Sequence, residues 1–131
     1  MGMKQILVMM AAVVLLGCGP AISDPIIEKA IREELKKPTG KLTKADLEKV
    51  TELVLHGNNL TSVECLKNCT ELKGLYLNGN KLTSVKGLEK LKNLYKLSLY
   101  DNPDLTKAQI DELKKALPNC TIYSDHGLAS E

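Results

Sequence analysis

The stretch that decides the fold reads Leu53-Val-Leu-His-Gly-Asn-Asn-Leu60. It returns 22 residues later as Leu75-Tyr-Leu-Asn-Gly-Asn-Lys-Leu82, and a third copy begins with Leu97-Ser-Leu-Tyr-Asp-Asn102 after the same interval. Similarity at a fixed interval indicates one small structural unit that is repeated and stacked, because a single unit cannot bury its own apolar face. The repeat therefore predicts a solenoid, whose surface is suited to binding rather than to reaction chemistry.

Leucines at alternate positions within each copy indicate a short strand, with the leucines pointing inward and the intervening side chains pointing outward. An asparagine stands three places after the second leucine of each copy, at Asn58, Asn80 and Asn102. The chain turns there, and unpaired backbone groups in a buried turn are costly. Because a carboxamide both donates and accepts hydrogen bonds, we expect the three asparagines to form a ladder that pairs those groups between copies.

After each turn, apolar residues recur at intervals of three, which is typical of tight helical turns on the far side of a coil. These residues are Leu66, Cys69 and Leu72 in one copy and Leu88, Leu91 and Leu94 in the next. Together with the strand residues they form the pattern LxLxxNxLxxVxxLxxLxxL, in which every inward position from Leu53 to Leu99 is apolar or cysteine.

On this pattern the chain resembles the leucine-rich repeat proteins, and in particular the internalin-like bacterial class with short repeats, over roughly residues 40–123. The resemblance implies an α/β fold, namely a right-handed solenoid with a parallel concave sheet of about four strands. It also implies a binding function, because solenoids of this family bind proteins or peptides far more often than they catalyse reactions.

Both ends of the repeat region carry helix signals. Asp24-Pro25 begins one predicted helix, and the capping-box pattern of Thr43–Asp46 begins a second, short one. This helical start resembles the amino-terminal cap of the internalin-like class. Downstream, Thr106–Gln109 is another capping box, which predicts a longer amphipathic helix. Cys120-Thr-Ile122 then fits a last strand with Cys120 in the first leucine position.

The beginning of the chain follows different rules. An apolar run from Ile6 to Leu16 is too short to span a bilayer but suits the core of a signal peptide. Leu15-Leu-Gly-Cys18 resembles the lipobox of bacterial lipoproteins, in which the cysteine thiol receives a diacylglyceryl group. The resemblance implies cleavage before Cys18 and lipidation of that residue, while an ordinary secretory signal with an incidental cysteine is the alternative.

These signals predict four segments: a signal peptide over 1–17, a tether over 18–23, the capped repeat domain over 24–123 and a flexible polar tail over 124–131. The lipid would make a bacterial membrane a partner of the chain. Gly19 is not the aspartate that commonly retains lipoproteins in the inner membrane of enteric bacteria. The predicted location is therefore the outer membrane where the cell has one, and otherwise the outer leaflet of the plasma membrane.

The charge balance gives no sign of a nucleic-acid partner. The chain has 18 basic and 16 acidic residues, and loss of residues 1–17 would remove only Lys4, which leaves 17 basic against 16 acidic residues. No cluster of lysine or arginine alternates with aromatic residues, as nucleic-acid binding would require.

Once Cys18 is lipidated, three cysteines remain, and an odd number cannot be fully paired. Cys65 and Cys69 lie close enough in the chain for a disulfide if the local backbone allows it. Two unbridged thiols in small apolar positions are the alternative, which stays open. We expect Cys120 to be buried and reduced, because it lies too many strands away from Cys69 for a bridge.

Residues suited to catalysis are sparse. Of the two histidines, His126 lies in the predicted tail, and His56 has no serine or cysteine nucleophile predicted on its face. The nearest acid to His56 is Glu52, roughly 13 Å away along an extended chain. Neither a zinc-type cysteine pattern nor a glycine-rich phosphate loop occurs. We therefore predict that the chain is not an enzyme and has no metal, cofactor or small-molecule substrate.

The outward residues of the strands are the better candidates for a site. Three of the four tyrosines fall there, and the chain has no tryptophan or phenylalanine. Tyrosine is frequent at binding hot spots, although it is also simply a good residue for an exposed strand. The predicted contact residues form two full rows, Val54, Tyr76, Ser98 and Thr121, then His56, Asn78, Tyr100 and Tyr123, with Lys96 beside them.

The sequence thus favours a lipid-anchored recognition module that binds a protein or peptide through its sheet. Two alternatives stay open. One is a structural spacer or surface component that associates with itself, and the other is a module that binds a glycan or cell-wall polymer.

Overall fold

The computed structural model describes Ile22 and residues 24–128 of the 131-residue chain. The predicted signal peptide, the acceptor Cys18 and the last three residues lie outside this described part. Within it, the leucine repeats form one sheet, and short helical segments cover the other side of the core.

Five short strands form the sheet in chain order, β1-β2-β3-β4-β5. The first four are parallel, which confirms the predicted α/β architecture with about four parallel strands. The fifth, which the repeat pattern does not predict, is antiparallel to β4. The strands are β1 Glu52–Val54, β2 Gly74–Tyr76, β3 Lys96–Ser98, β4 Thr121–Ser124 and β5 Gly127–Leu128.

The core lies directly behind the parallel strands. Leu53, Leu75, Leu97 and Ile122 stand opposite one another in the sheet, and each is at most 2% exposed. The second leucine of each strand copy and the apolar residues of the helical turns pack into the same cluster. Full burial of one leucine side chain contributes about 1.5–3 kcal/mol, so stacking of the copies, rather than any strand of three residues, stabilises the sheet.

Helical segments close the remaining sides of the core. They are α1 Pro25–Leu35, α2 Lys44–Leu47, the 3₁₀ helices Glu64–Asn68 and Leu88–Lys90, and α3 Lys107–Ala116. Each 3₁₀ helix contains the first residue of the predicted three-residue spacing, Leu66 or Leu88. The carbonyls of these two residues accept the N–H groups of Cys69 and Leu91, three residues later. Helix α1 packs next to β1, at the first end of the stack, and α3 packs next to the second 3₁₀ helix.

The three α-helices among the described residues begin with the capping chemistry that the sequence predicts. The Asp24 carboxylate accepts two backbone N–H groups in the first turn of α1, and Pro25 follows it. Thr43 and Asp46 form a complete capping box at α2, and an equivalent box begins α3. The Lys37 ammonium, 2.6 Å from Asp46, together with the Thr43 N–H, holds the pKa of the Asp46 carboxyl well below its usual range.

The last parallel strand differs from the prediction by two residues. Ile122, rather than Cys120, lies opposite Leu97. The Cys120 N–H donates to the Leu117 carbonyl, as the Leu94 N–H does to the residue three before it, so Cys120 occupies the last buried position before the strand. The physical reason is α3, whose 10 residues replace a short 3₁₀ turn and lengthen the interval from Leu97 to Ile122 to 25 residues.

The first five residues of the predicted tail, 124–128, are folded in the structure. Ser124 is the last residue of β4, and Gly127–Leu128 turns back to pair with it as β5. The turn between the two strands is held on the loop after β3. The Asp125 carboxylate accepts the Asp101 N–H at 2.9 Å, and the His126 ring Nε2 lies 2.9 Å from the Leu105 carbonyl oxygen.

Asn80 pairs backbone groups of two neighbouring copies. Its Oδ1 accepts the N–H groups of Asn58 and Leu60, both at 3.0 Å. Its Nδ2 donates to the carbonyls of Leu55 at 3.0 Å and Leu77 at 2.9 Å. One carboxamide thereby satisfies buried turn groups that the strands leave without partners.

Asn102 repeats the arrangement one copy later. Its Oδ1 accepts the Leu82 N–H at 3.2 Å, and its Nδ2 donates to the carbonyls of Leu77 and Leu99, both at 3.0 Å. Asn58, in the first copy, is half-buried, and its side chain donates within its own copy. The ladder therefore has two buried rungs and one half-buried end.

We expect Asn80→Ala to lower the free energy of unfolding by about 3–5 kcal/mol, because it leaves several buried backbone groups unpaired at about 1–3 kcal/mol each. Asn58→Ala, which removes one half-buried bond, should lower it by about 1 kcal/mol. Urea unfolding followed by circular dichroism measures both variants. A loss for Asn80→Ala as small as that for Asn58→Ala would contradict the role of the buried rung.

Candidate binding surface on the sheet

The outward side chains of the four parallel strands, with the residues just beyond their ends, form a continuous surface, the sheet face. Strand register sets three rows across it. The rows are Glu52, Gly74, Lys96 and Thr121; then Val54, Tyr76, Ser98 and Tyr123; then His56, Asn78 and Tyr100. All of the predicted contact residues lie in these rows.

The shift of the last strand corrects the predicted rows. Thr121 lies opposite Lys96 instead of Ser98, and Tyr123 lies opposite Ser98 instead of Tyr100. Tyr123 therefore stands one strand away from Ser98 and contacts the Tyr100 ring diagonally, with ring centroids 6.2 Å apart at 37°. Such tilted aromatic pairs are favourable, so the two rings hold each other in place.

Charged neighbours on both sides fix the orientation of Tyr76. Its hydroxyl donates to Glu52 Oε2 at 3.4 Å, and the Lys96 ammonium lies 5.7 Å from its ring centroid. Gly74 makes this possible, because a side-chain Cβ at that position would lie 2.9 Å from Glu52 Oε2. The glycine thus leaves room for the Glu52 carboxylate to reach across β2.

Exposure differs strongly among the predicted contact residues. Val54 is 56% exposed and Tyr100 is 41% exposed, whereas Ser98 is only 7% exposed. Ser98 therefore lies below the larger side chains around it and is not freely accessible to a partner. Asn78 is half-buried, and its side-chain Oδ1 is a buried acceptor that has no hydrogen-bond partner in the described part of the protein.

The sequence did not reveal how the end of the chain completes this surface. Asp125 and His126 anchor the hairpin turn that fixes Tyr123. A signal for the hairpin exists, because Asp125-His-Gly127 places turn residues directly after a strand-like stretch. The positions of Glu52 and Gly74 in the first row follow from the repeat interval, but their contact with Tyr76 depends on side-chain directions that the sequence does not encode.

The surface offers aromatic packing and hydrogen bonds. Among the residues that the structure describes, no group of three or more histidine, cysteine, aspartate and glutamate side chains is placed to hold a metal ion. The helices of the same described part are all too short or too polar to cross a bilayer.

The three cysteines of the described residues lie away from the sheet face, in the helical turns and before β4. Cys65 is half-buried and Cys69 is buried, and both carry free thiols. Of the two predicted possibilities, the structure therefore has two unbridged thiols rather than a disulfide. Cys120 is buried and free. Burial raises the pKa of Cys65, raises that of Cys69 to about 12 and raises that of Cys120 to about 11.

A family model for leucine-rich repeats, described as two copies, matches residues 48–85 and again residues 70–115, which together make up more than half of the chain. The chain belongs to the leucine-rich repeat family. The predicted resemblance to leucine-rich repeat proteins is thereby confirmed, while lipid attachment at Cys18 stays a prediction.

Solved structures share the fold. An internalin (inlF) from Listeria monocytogenes is 26% identical, with a TM-score of 0.68 over 80% of this chain and 31% of that chain. A structure of the CBM51-2 and INT domains of ZmpB from Clostridium perfringens is 28% identical, with a TM-score of 0.52 over 64% of this chain and 18% of that chain. Internalin C2 (inlC2) from Listeria monocytogenes, 20% identical with a TM-score of 0.51 over 76% and 53%, shows likeness of fold alone.

This chain thus spans less than two thirds of each of these neighbours. No curated protein matches it in sequence. Leucine-rich repeat proteins of internalin type are typically protein-binding modules and non-enzymatic scaffolds, which agrees with the predicted class of function.

The thiol environments predict an order of alkylation at pH 8 in the full chain carrying Cys18→Ser. Half-buried Cys65 should react with iodoacetamide about tenfold faster than Cys69 and Cys120. The reacting species is the thiolate, and burial of Cys69 and Cys120 both raises the pKa of their thiols and blocks access of the reagent. Peptide mapping by mass spectrometry, with a urea-unfolded sample as control, measures the order. Protection of both Cys65 and Cys69 that ends only on reduction would show a disulfide instead.

Proposed function

We propose that this chain is a recognition module of a bacterial envelope, which binds a protein or peptide through the sheet face and is held at a membrane by a lipid on Cys18. The observation that carries the binding proposal is the gathering of Tyr76, Tyr100 and Tyr123 on one small surface beside exposed Val54. Membership in a family whose internalin-type members typically bind proteins supports it.

Physical chemistry favours this surface for binding. Tyrosine gives a large contact area and loses few rotatable bonds on binding, and these rings are already held by neighbours on a rigid sheet. Four parallel strands offer little area, so we expect an interface near the lower end of the standard range, about 1,200 Å² in total. A second copy or another subunit would then contribute to a stable complex.

The anchor proposal rests on the resemblance of Leu15-Leu-Gly-Cys18 to a lipobox. A tether over residues 18–23 reaches at most about 20 Å when fully extended, so the repeat domain would work close to the membrane surface. The location would be the outer membrane where the cell has one, and otherwise the outer leaflet of the plasma membrane.

Photo-crosslinking in cells tests the binding surface. A photoreactive amino acid at Tyr100, which is 41% exposed on the sheet face, should give a discrete heavier band with a protein identified by mass spectrometry. The same probe at Lys115, an exposed position on α3, is the matched control and should give no such band.

Two other results would exclude the proposal. Adducts between copies of the chain from Tyr100 would support the self-associating spacer instead. Retention of the chain on purified wall polymer, abolished by Tyr100→Ser and unaccompanied by a protein adduct, would support glycan binding.

Cys18→Ser tests the anchor. In cells, the variant should keep its signal peptide and remain without lipid. Intact-mass spectrometry should find the added mass of diacylglyceryl and acyl groups on the parent chain and not on the variant. A parent chain that is cleaved at another residue and carries no lipid would contradict the anchor and indicate an ordinary secretory signal.

A further inference from the structure

Ser98 is a short, buried side chain in the centre of the sheet face, and the space above it, between its taller neighbours, is called the depression below. Its row has Tyr76 on one side and Tyr123 on the other, so the two rings rise from strands that are two spacings, about 9.6 Å, apart. Along its own strand, Lys96 and Tyr100 are the nearest outward residues. A serine is several ångströms shorter than these four neighbours, which explains why it is buried on an otherwise exposed surface.

The neighbours of Ser98 are fixed in two pairs by contacts with one another. The Lys96 ammonium lies over the Tyr76 ring, on the β2 side, and the Tyr100 ring leans on Tyr123, on the β4 side. The walls of the depression are therefore preorganised in two pairs. A side chain of a partner that enters between the pairs would contact aromatic surface without first having to order it.

The acidic and basic side chains around the depression differ in the partners that they have inside the protein. The Glu52 carboxylate accepts the Tyr76 hydroxyl, and the Asp125 carboxylate accepts the backbone N–H of Asp101. Lys96 is exposed, and it takes part in none of the ion pairs found between described residues. The acids next to the depression thus have donors inside the protein, whereas the Lys96 ammonium contacts the Tyr76 ring but forms no ion pair with a described carboxylate.

We propose that the sheet face takes an acidic peptide segment, which inserts one apolar side chain over Ser98 between Tyr76 and Tyr123 and places a carboxylate on Lys96. The inference deepens the proposed function and rests on it. Lys96 and Ser98 are two residues apart on one face of β3, about 6.6 Å. Alternate residues of an extended peptide have the same separation on one side, so the carboxylate belongs two positions from the apolar residue.

Fluorescence anisotropy with defined peptides tests this arrangement on the lipidated chain in detergent micelles. The probe is fluorescein-labelled Gly-Asp-Gly-Phe-Gly-Asp-Gly-amide, with aspartate on both sides because the peptide direction is not fixed. Replacing phenylalanine by glycine should weaken binding at least about tenfold, and replacing both aspartates by asparagine should weaken it about fivefold, the upper range for an exposed ion pair.

Variants of the protein make the test specific. Ser98→Leu, which fills the depression, should weaken binding of the parent peptide at least about tenfold, whereas Thr39→Leu on an exposed loop should not change it. Lys96→Gln should abolish the difference between the aspartate and asparagine peptides, whereas Lys115→Gln should preserve it. A thermal melt shows that each variant is folded.

Equal affinity for the aspartate and asparagine peptides would overturn the carboxylate part of the inference. Unchanged binding by folded Ser98→Leu would overturn the insertion over Ser98. Because the peptides are measured without the cellular partner, either failure leaves the proposed function standing if the Tyr100 probe still captures a protein.

Discussion

The hydrogen bonds of the Asn80 carboxamide are the interaction on which the rest of this structure depends. A strand of three residues cannot fix its own position, and the turn after it carries backbone groups that water cannot reach. Asn80 joins the turns of two copies through the same side chain, so the copies are locked at one register. That register stacks Leu53 on Leu75 in the core, and Asn102 repeats it for Leu97. On the opposite face, the same register decides which side chains become neighbours.

The central repeats could be predicted from the sequence because each structural feature there depends on residues that are close together in the chain. Alternating leucines specify the inward side of β2 and β3, and an asparagine at a fixed distance specifies the turn. The last strand could not be placed in the same way. An α-helix advances less per residue than the 3₁₀ turns it replaces, so α3 uses more residues between Leu97 and Ile122 than a repeat interval allows.

The candidate site could be predicted as a set of residues but not as a shape. The strand period alone indicates that Tyr76, Tyr100 and Tyr123 share one face. Which of them lie beside Ser98 depended on the shifted strand and on a hairpin held by two contacts distant in sequence. Contacts of this kind, between a turn and a loop more than twenty residues earlier, follow no periodic pattern, so only the folded chain displays them.

The antiparallel β5 has a consequence for how proteins of this design change in length. A duplicated unit inserted between β2 and β3 would bring its own leucines and asparagine and meet identical surfaces on both sides. A unit added after β4 would find the sheet reversed and its edge occupied by Gly127–Leu128. An added unit therefore fits the middle of this sheet, whereas at the end of β4 it would have to displace the hairpin.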